Sequence, residues 1–117
     1  MPTPRGVAEY HDFLVYVFLH APEEFPAEDY LQPEEQMTLQ KAFARLVGDL
    51  PVVSSRIKDQ NRMLVLRELL AMSQEAYLQG NNVRGAHVLQ EFEGLIWPKH
   101  KQPPEFLAEA EQRAADR

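Results

Sequence analysis

The sequence predicts an all-α fold: a single-domain bundle of four or five helices built around a central antiparallel helical hairpin. Three observations carry this. Apolar residues recur at three- and four-residue spacing along most of the chain. Proline, glycine and asparagine interrupt that pattern where helices stop and start. No period-2 alternation of any length is found, and a half-buried strand needs one.

The first element is predicted over 6–20. Its run "FLVYVFL" has the β-branched and aromatic content of a strand. The polar positions decide for a helix: Glu9, Asp12, Tyr16 and His20 share one face, and Val7, Tyr10, Leu14 and Val17 another. Pro22 ends it. Residues 22–33 contain Pro22, Pro26 and Pro33 and are predicted as an acidic loop. A second helix is predicted from Pro33, with Glu34 and Glu35 complementing its dipole. Met37, Phe43, Leu46, Val47 and Leu50 give its stripe, and Gly48 and Pro51 close it.

Residues 52–79 read as helix with a break near 58–61. Leu66, Leu70, Ser73 and Tyr77 line one face; Val65, Leu69, Met72 and Ala76 line the next. Gly80 is the natural stop, and Asn81 or Asn82 caps the following helix. That helix is expected to point Val83, Ala86, Leu89, Phe92 and Ile96 inward, with Val88 and Leu95 beside them, and to stop at Pro98. The short "QGNN" connection makes the pair a tight hairpin. Residues 99–104 form a linker to a short terminal helix docked through Phe106 and Leu107.

The 117 residues, 44% hydrophobic, suffice for one core and one domain over 1–117. The chain has no cysteine, which excludes disulfides, thiolate metal sites and cysteine nucleophiles. The start "MPTPRGVAEYHD" lacks the basic and apolar regions of an export signal, and "FLVYVFL" is too short to span a bilayer. A cytoplasmic location is the expectation. Net charge is −6, unevenly placed: residues 1–40 hold Arg5 against eight acids. Such a field repels nucleic acid and anionic lipid and attracts basic proteins, so neither nucleic acid nor membrane is an expected partner.

Candidate chemistry is sparse. His87 and Glu91 have a metal-compatible i, i+4 spacing but no second ligand pair. His11 and Asp12 are adjacent, so on a helix they point about 100° apart. No glycine cluster makes a phosphate loop. Gly85 and Gly94 lie inside a helix, which suggests close packing. Trp97 reads as a core residue before a binding one. Arg56, Lys58 and Arg62 form a small basic spot without an aromatic platform. Tyr77, Ala86 and Pro98 match offsets of one tetratricopeptide unit, but no second copy exists. Catalytic residues, cofactor and metal are therefore not expected, and the chain reads as a non-enzyme.

The segment "APEEFPAEDYLQPEEQ" (21–36) stands out: six carboxylates, no base and two aromatics. Glu23, Glu24, Phe25, Glu28, Asp29, Tyr30, Glu34 and Glu35 are candidate partner-binding residues, the acids for steering and the aromatics as anchors. A solvated linker with helix-capping charges has the same composition, and both readings stand.

The hairpin "EAYLQGNNVRGAHVLQEFEGLIWP", through its "AYLQGN" turn, its "GAHVLQEFE" and its closing "WP", resembles small helical immunity proteins of bacterial toxin systems, including type VI secretion. The resemblance covers about residues 69–98. It implies a small cytoplasmic inhibitor that occludes the active site of a cognate toxin acting on cytosolic nucleotides or nucleic acid, with a basic cleft that an acidic surface fills. The alternative is a helical adaptor or effector chaperone that holds a partner segment between helices. A small enzyme is a third reading.

Overall fold

The structure is a computed structural model, and it describes residues 6–98 and 104–116. Five α-helices follow one another: α1 Val7–His20, α2 Leu39–Gly48, α3 Gln60–Leu78, α4 Asn82–Ile96 and α5 Leu107–Ala115. Two 3-10 turns, Pro33–Glu35 and Leu50–Ser55, lie on either side of α2. The fold is all-α, as the periodicity predicts. The expected linker over 99–104 lies outside the described residues except for Pro104. No helix among the described residues is long and apolar enough to cross a membrane.

The antiparallel pair α3–α4 forms the centre, with α5 on α3 and with α1 and α2 completing the bundle. In α1, Tyr10, Phe13, Leu14 and Val17 are buried, one continuous 3–4 stripe. This stripe overrides the strand propensity of "FLVYVFL". The Tyr10 hydroxyl donates to the Leu46 carbonyl at 2.6 Å, tying α1 to α2 inside the core. Burial, with Asp49 adding to it, pushes that hydroxyl far above the ordinary tyrosine range. It therefore stays a neutral donor.

The second predicted helix is shorter than expected. Pro33–Glu35 makes only one 3-10 turn, and α2 begins at Leu39. Thr38 is the reason. Its backbone is extended and its hydroxyl accepts the Lys41 N–H at 3.2 Å, the geometry of an N-cap. The break expected near 58–61 is present, and the part of 52–79 before it is not α-helical. Leu50–Ser55 is a 3-10 turn, and Asp59 starts α3 by accepting the Asn61 N–H at 2.8 Å.

The α3–α4 turn is a Schellman motif. Asn81 N–H reaches the Ala76 carbonyl at 2.8 Å and Gly80 N–H the Tyr77 carbonyl at 3.0 Å. Gly80 takes φ +82°, a left-handed conformation suited to glycine. Asn81 then caps α4 by accepting the Arg84 N–H at 3.1 Å.

The buried face of α4 is Gly85, Val88, Leu89, Phe92 and Ile96. Val83, expected inward, is 67% exposed, and Ala86 is half-buried. Val83 sits two residues before Gly85, about 200° round the helix and so on its far side. Gly85 sets the register: a Cβ there would lie 2.8 Å from the Tyr77 ring. The Ser73 hydroxyl also donates to the Gly85 carbonyl at 2.7 Å. Gly94, expected to share this packing role, faces open space.

Polar clips hold α5. The Glu91 carboxylate accepts the N–H groups of Glu105 (2.6 Å) and Phe106 (2.9 Å), capping the start of the helix. Arg113 grips Glu75 of α3 with two bonds of 2.8 and 3.0 Å and also meets Glu109 at 3.3 Å. Arg84 reaches Glu109 at 3.3 Å and lies 5.0 Å over the Phe106 ring. Beneath these clips, Phe106 and Ala110 are buried.

Two outcomes follow for the glycines in urea unfolding. Gly85→Ala should destabilise the fold by about 1–3 kcal/mol through overpacking against Tyr77. Gly94→Ala should stabilise it by about 0.4–1 kcal/mol. For α5, the Arg113 hydrogen bond holds the Glu75 carboxyl below its ordinary range, against the opposing effect of burial. The contribution of the pair is then full above the unfolded glutamate value, about 4.3, and fades as pH falls through the folded one. Because the pair is largely exposed, its worth is about 1 kcal/mol or less. Amide exchange in α5 should accelerate relative to α3 below about pH 4. The Glu75→Gln variant should show no such step.

Candidate functional site

The segment 21–36 is a built loop. The chain leaves α1 with Ala21 N–H on the Val17 carbonyl and Glu24 N–H on the His20 carbonyl, both at 2.8 Å. Phe25 then folds back onto α1, its ring 5.8 Å from Tyr16 and 6.4 Å from His20. Tyr16 in turn packs against Phe13 and His20. Burial, reinforced by the Glu28 carboxylate, pushes the Tyr16 hydroxyl above its ordinary range.

One side chain closes the far end. The Gln36 amide accepts the Glu28 N–H at 2.9 Å and donates to the carbonyls of Glu28 (2.9 Å) and Leu31 (3.0 Å). It thus supplies both halves of a backbone pairing across eight residues. Lys41, from the first turn of α2, donates to the carbonyls of Glu34 and Gln36. The Glu35 carboxylate accepts the Gln32 N–H at 3.4 Å.

Seven of the eight residues singled out from the sequence are exposed: Glu23, Glu24, Glu28, Asp29, Tyr30, Glu34 and Glu35. Tyr30 is 79% exposed and lies in sequence beside Glu28 and Asp29. Phe25 is half-buried against α1 and serves as the loop's own anchor. Among the described residues, the carboxylates of Glu23, Glu24, Glu28, Asp29 and Glu34 make no ion pair or hydrogen bond.

The other candidates find structural work. Glu91 caps α5, and His87 is exposed, so that i, i+4 pair is not set up as a ligand pair. No group of three or more histidine, aspartate or glutamate side chains that could hold a metal ion is found among the described residues. His11 turns from Asp12 to Glu93 of α4, with Nε2 2.9 Å from a carboxylate oxygen. The indole of Trp97 meets the His11 ring edge-on at 4.5 Å and stacks on Tyr10 at 6.5 Å. Trp97 is half-buried at the core's edge. Within the basic spot, Arg56 donates to the Ile96 carbonyl at 2.9 Å, completing the end of α4.

Sequence reading missed Gln36, which carries no signal apart from its tertiary partners. It also missed the His11–Glu93 contact, which joins residues 82 positions apart. Gln36→Ala removes three hydrogen bonds, so hydrogen exchange at Glu28 should accelerate at least tenfold. Exchange in the middle of α3 and α4 should be unchanged. No protein-family model matches this chain, and no curated protein and no solved structure matches it.

Proposed function

We propose that this chain is a binding protein that meets a basic partner through the acidic loop 21–36. In the fuller reading, it is the immunity protein of an antibacterial toxin. It is made in the same compartment in which the toxin acts, and it fills the toxin's basic, phosphate-binding cleft as an anion mimic.

One observation supports this above the others. The loop is tied to the body by Phe25 and Lys41 and closed on itself by Gln36, yet five of its carboxylates have no partner among the described residues. A slack linker needs neither the anchor nor the clasp. A capping role would engage the carboxylates with backbone N–H groups, as Glu35 does and, among the described residues, the others do not. A pre-ordered loop also binds with less loss of conformational entropy. Unpaired carboxylates steer a cationic partner and raise its rate of encounter. Tyr30, amphipathic and exposed, suits the anchor role at the centre of such a contact.

The test has two parts. Affinity capture from the native host should yield one near-stoichiometric partner whose activity is lost in the complex. Replacing Glu23, Glu24, Glu28 and Asp29 with lysine should then slow association at least tenfold while leaving circular dichroism and thermal unfolding nearly unchanged. Raising salt should narrow the gap between the two proteins. Unaltered association kinetics would remove the acidic loop from the interface. A partner that keeps its activity but loses solubility or delivery without this chain would favour the adaptor reading.

A further inference from the structure

Beside the acidic loop runs an open groove of about 620 Å³. Pro22, Glu23 and Glu24 line it from the loop, Leu39 from the start of α2, and Leu78 and Gly80 from the end of α3. It thus lies between the loop and the tip of the central hairpin. Two properties of its lining do not fit a plain surface crease.

The first is apolar. Leu78 is 71% exposed at the last position of α3. Leu39, half-buried at the start of α2, is the second aliphatic side chain of the lining. The second is electrostatic. The Glu23 and Glu24 carboxylates have no partner among the described residues. Ala21 at the C-terminal end of α1, and Leu78 and Gly80 at that of α3, line the groove, and these helix ends add partial negative charge.

Charge and apolar surface together select the occupant. A bare cation or polyamine would satisfy the carboxylates and leave Leu78 in water. A purely apolar segment would cover Leu78 and bury two unpaired carboxylates, which is strongly unfavourable. We infer that the groove seats a protein segment that carries an aliphatic or aromatic side chain within one turn of a lysine or arginine. The apolar residue lies on Leu39 and Leu78, and the cation lies against Glu23 and Glu24. This rests on the reading of a basic partner and deepens it. The carboxylates of the whole loop steer, whereas Glu23 and Glu24 also seat the bound segment in the groove.

The probe is a pair of synthetic peptides, Ac-GKRLLKRG-NH2 and the all-lysine Ac-GKKKKKKG-NH2, titrated into the ¹⁵N-labelled protein and followed by amide chemical shifts. The mixed peptide should shift Leu39, Gly80 and Asn82 saturably and bind at least fivefold more tightly than the all-lysine peptide. Leu78→Ser, and separately the double variant Glu23→Lys with Glu24→Lys, should each weaken it at least fivefold. All these sites are exposed or near-surface, so the fold is retained. Equal affinity for the two peptides, or shifts confined to 28–35, would overturn the groove and leave the acidic-loop reading standing. No saturable shift with the mixed peptide would also overturn the groove. The acidic-loop reading is judged separately, by partner association rates in the variant Glu28→Lys with Asp29→Lys, whose groove is intact.

Discussion

At the crossing of α3 and α4 the Tyr77 ring occupies the space a side chain on Gly85 would need, and the Ser73 hydroxyl bonds the Gly85 carbonyl. This close approach constrains the rest. It fixes how α4 is rotated, which turns Val88, Leu89, Phe92 and Ile96 inward and Val83 outward. It leaves a separation that the three-residue connection with its Schellman turn can span. The same rotation presents Glu91 to the start of α5 and Glu93 to His11 of α1. One glycine carbonyl and one aromatic ring thus set the contacts of three helices.

The charges divide along the chain. From Lys41 onward many bases are used internally: Arg45 with Asp49, Arg84 with Glu109, Arg113 with Glu75, and Lys41 and Arg56 on backbone carbonyls. These contacts lie mostly at the surface, where each is worth little alone. Their effect is to lock the orientation of α5 and the helix ends. Among the described residues, Glu23, Glu24, Glu28, Asp29 and Glu34 of the loop receive no such internal compensation, although the loop backbone is hydrogen-bonded through Gln36 and Lys41. The field of this face is therefore directed at solvent and at whatever enters from it.

The loop also shows how a polar side chain can do the work of a strand partner. Gln36 offers one donor group and one acceptor to backbone eight residues away, and Phe25 supplies the apolar contact that holds the start of the loop on α1. Three prolines forbid a helix here and, by fixing φ, reduce the conformational freedom lost on ordering. The resulting surface lines a groove together with the hairpin tip. A flexible tail of the same composition would have no fixed relation to Leu78.

The amino-acid sequence by itself determined the helical class, the hairpin with its Gly80 stop and an asparagine cap at 81 or 82, the break before α3, and the acidic loop, because these depend on local spacing and on backbone rules at glycine and proline. It misplaced what depends on competition between neighbours. Pro33 looks like a helix start until Thr38 takes the cap. Val83 looks like core until Gly85 sets the rotation, and Gly94 looks like Gly85. Tertiary structure alone decided that Phe25 faces inward while Tyr30 faces out, that Glu91 caps α5, that His11 pairs with Glu93, and that Leu78 lies beside Glu23 and Glu24 across a groove. Each joins groups on different elements, and the distance between such groups is written in the packing of side chains, not in their spacing along the chain.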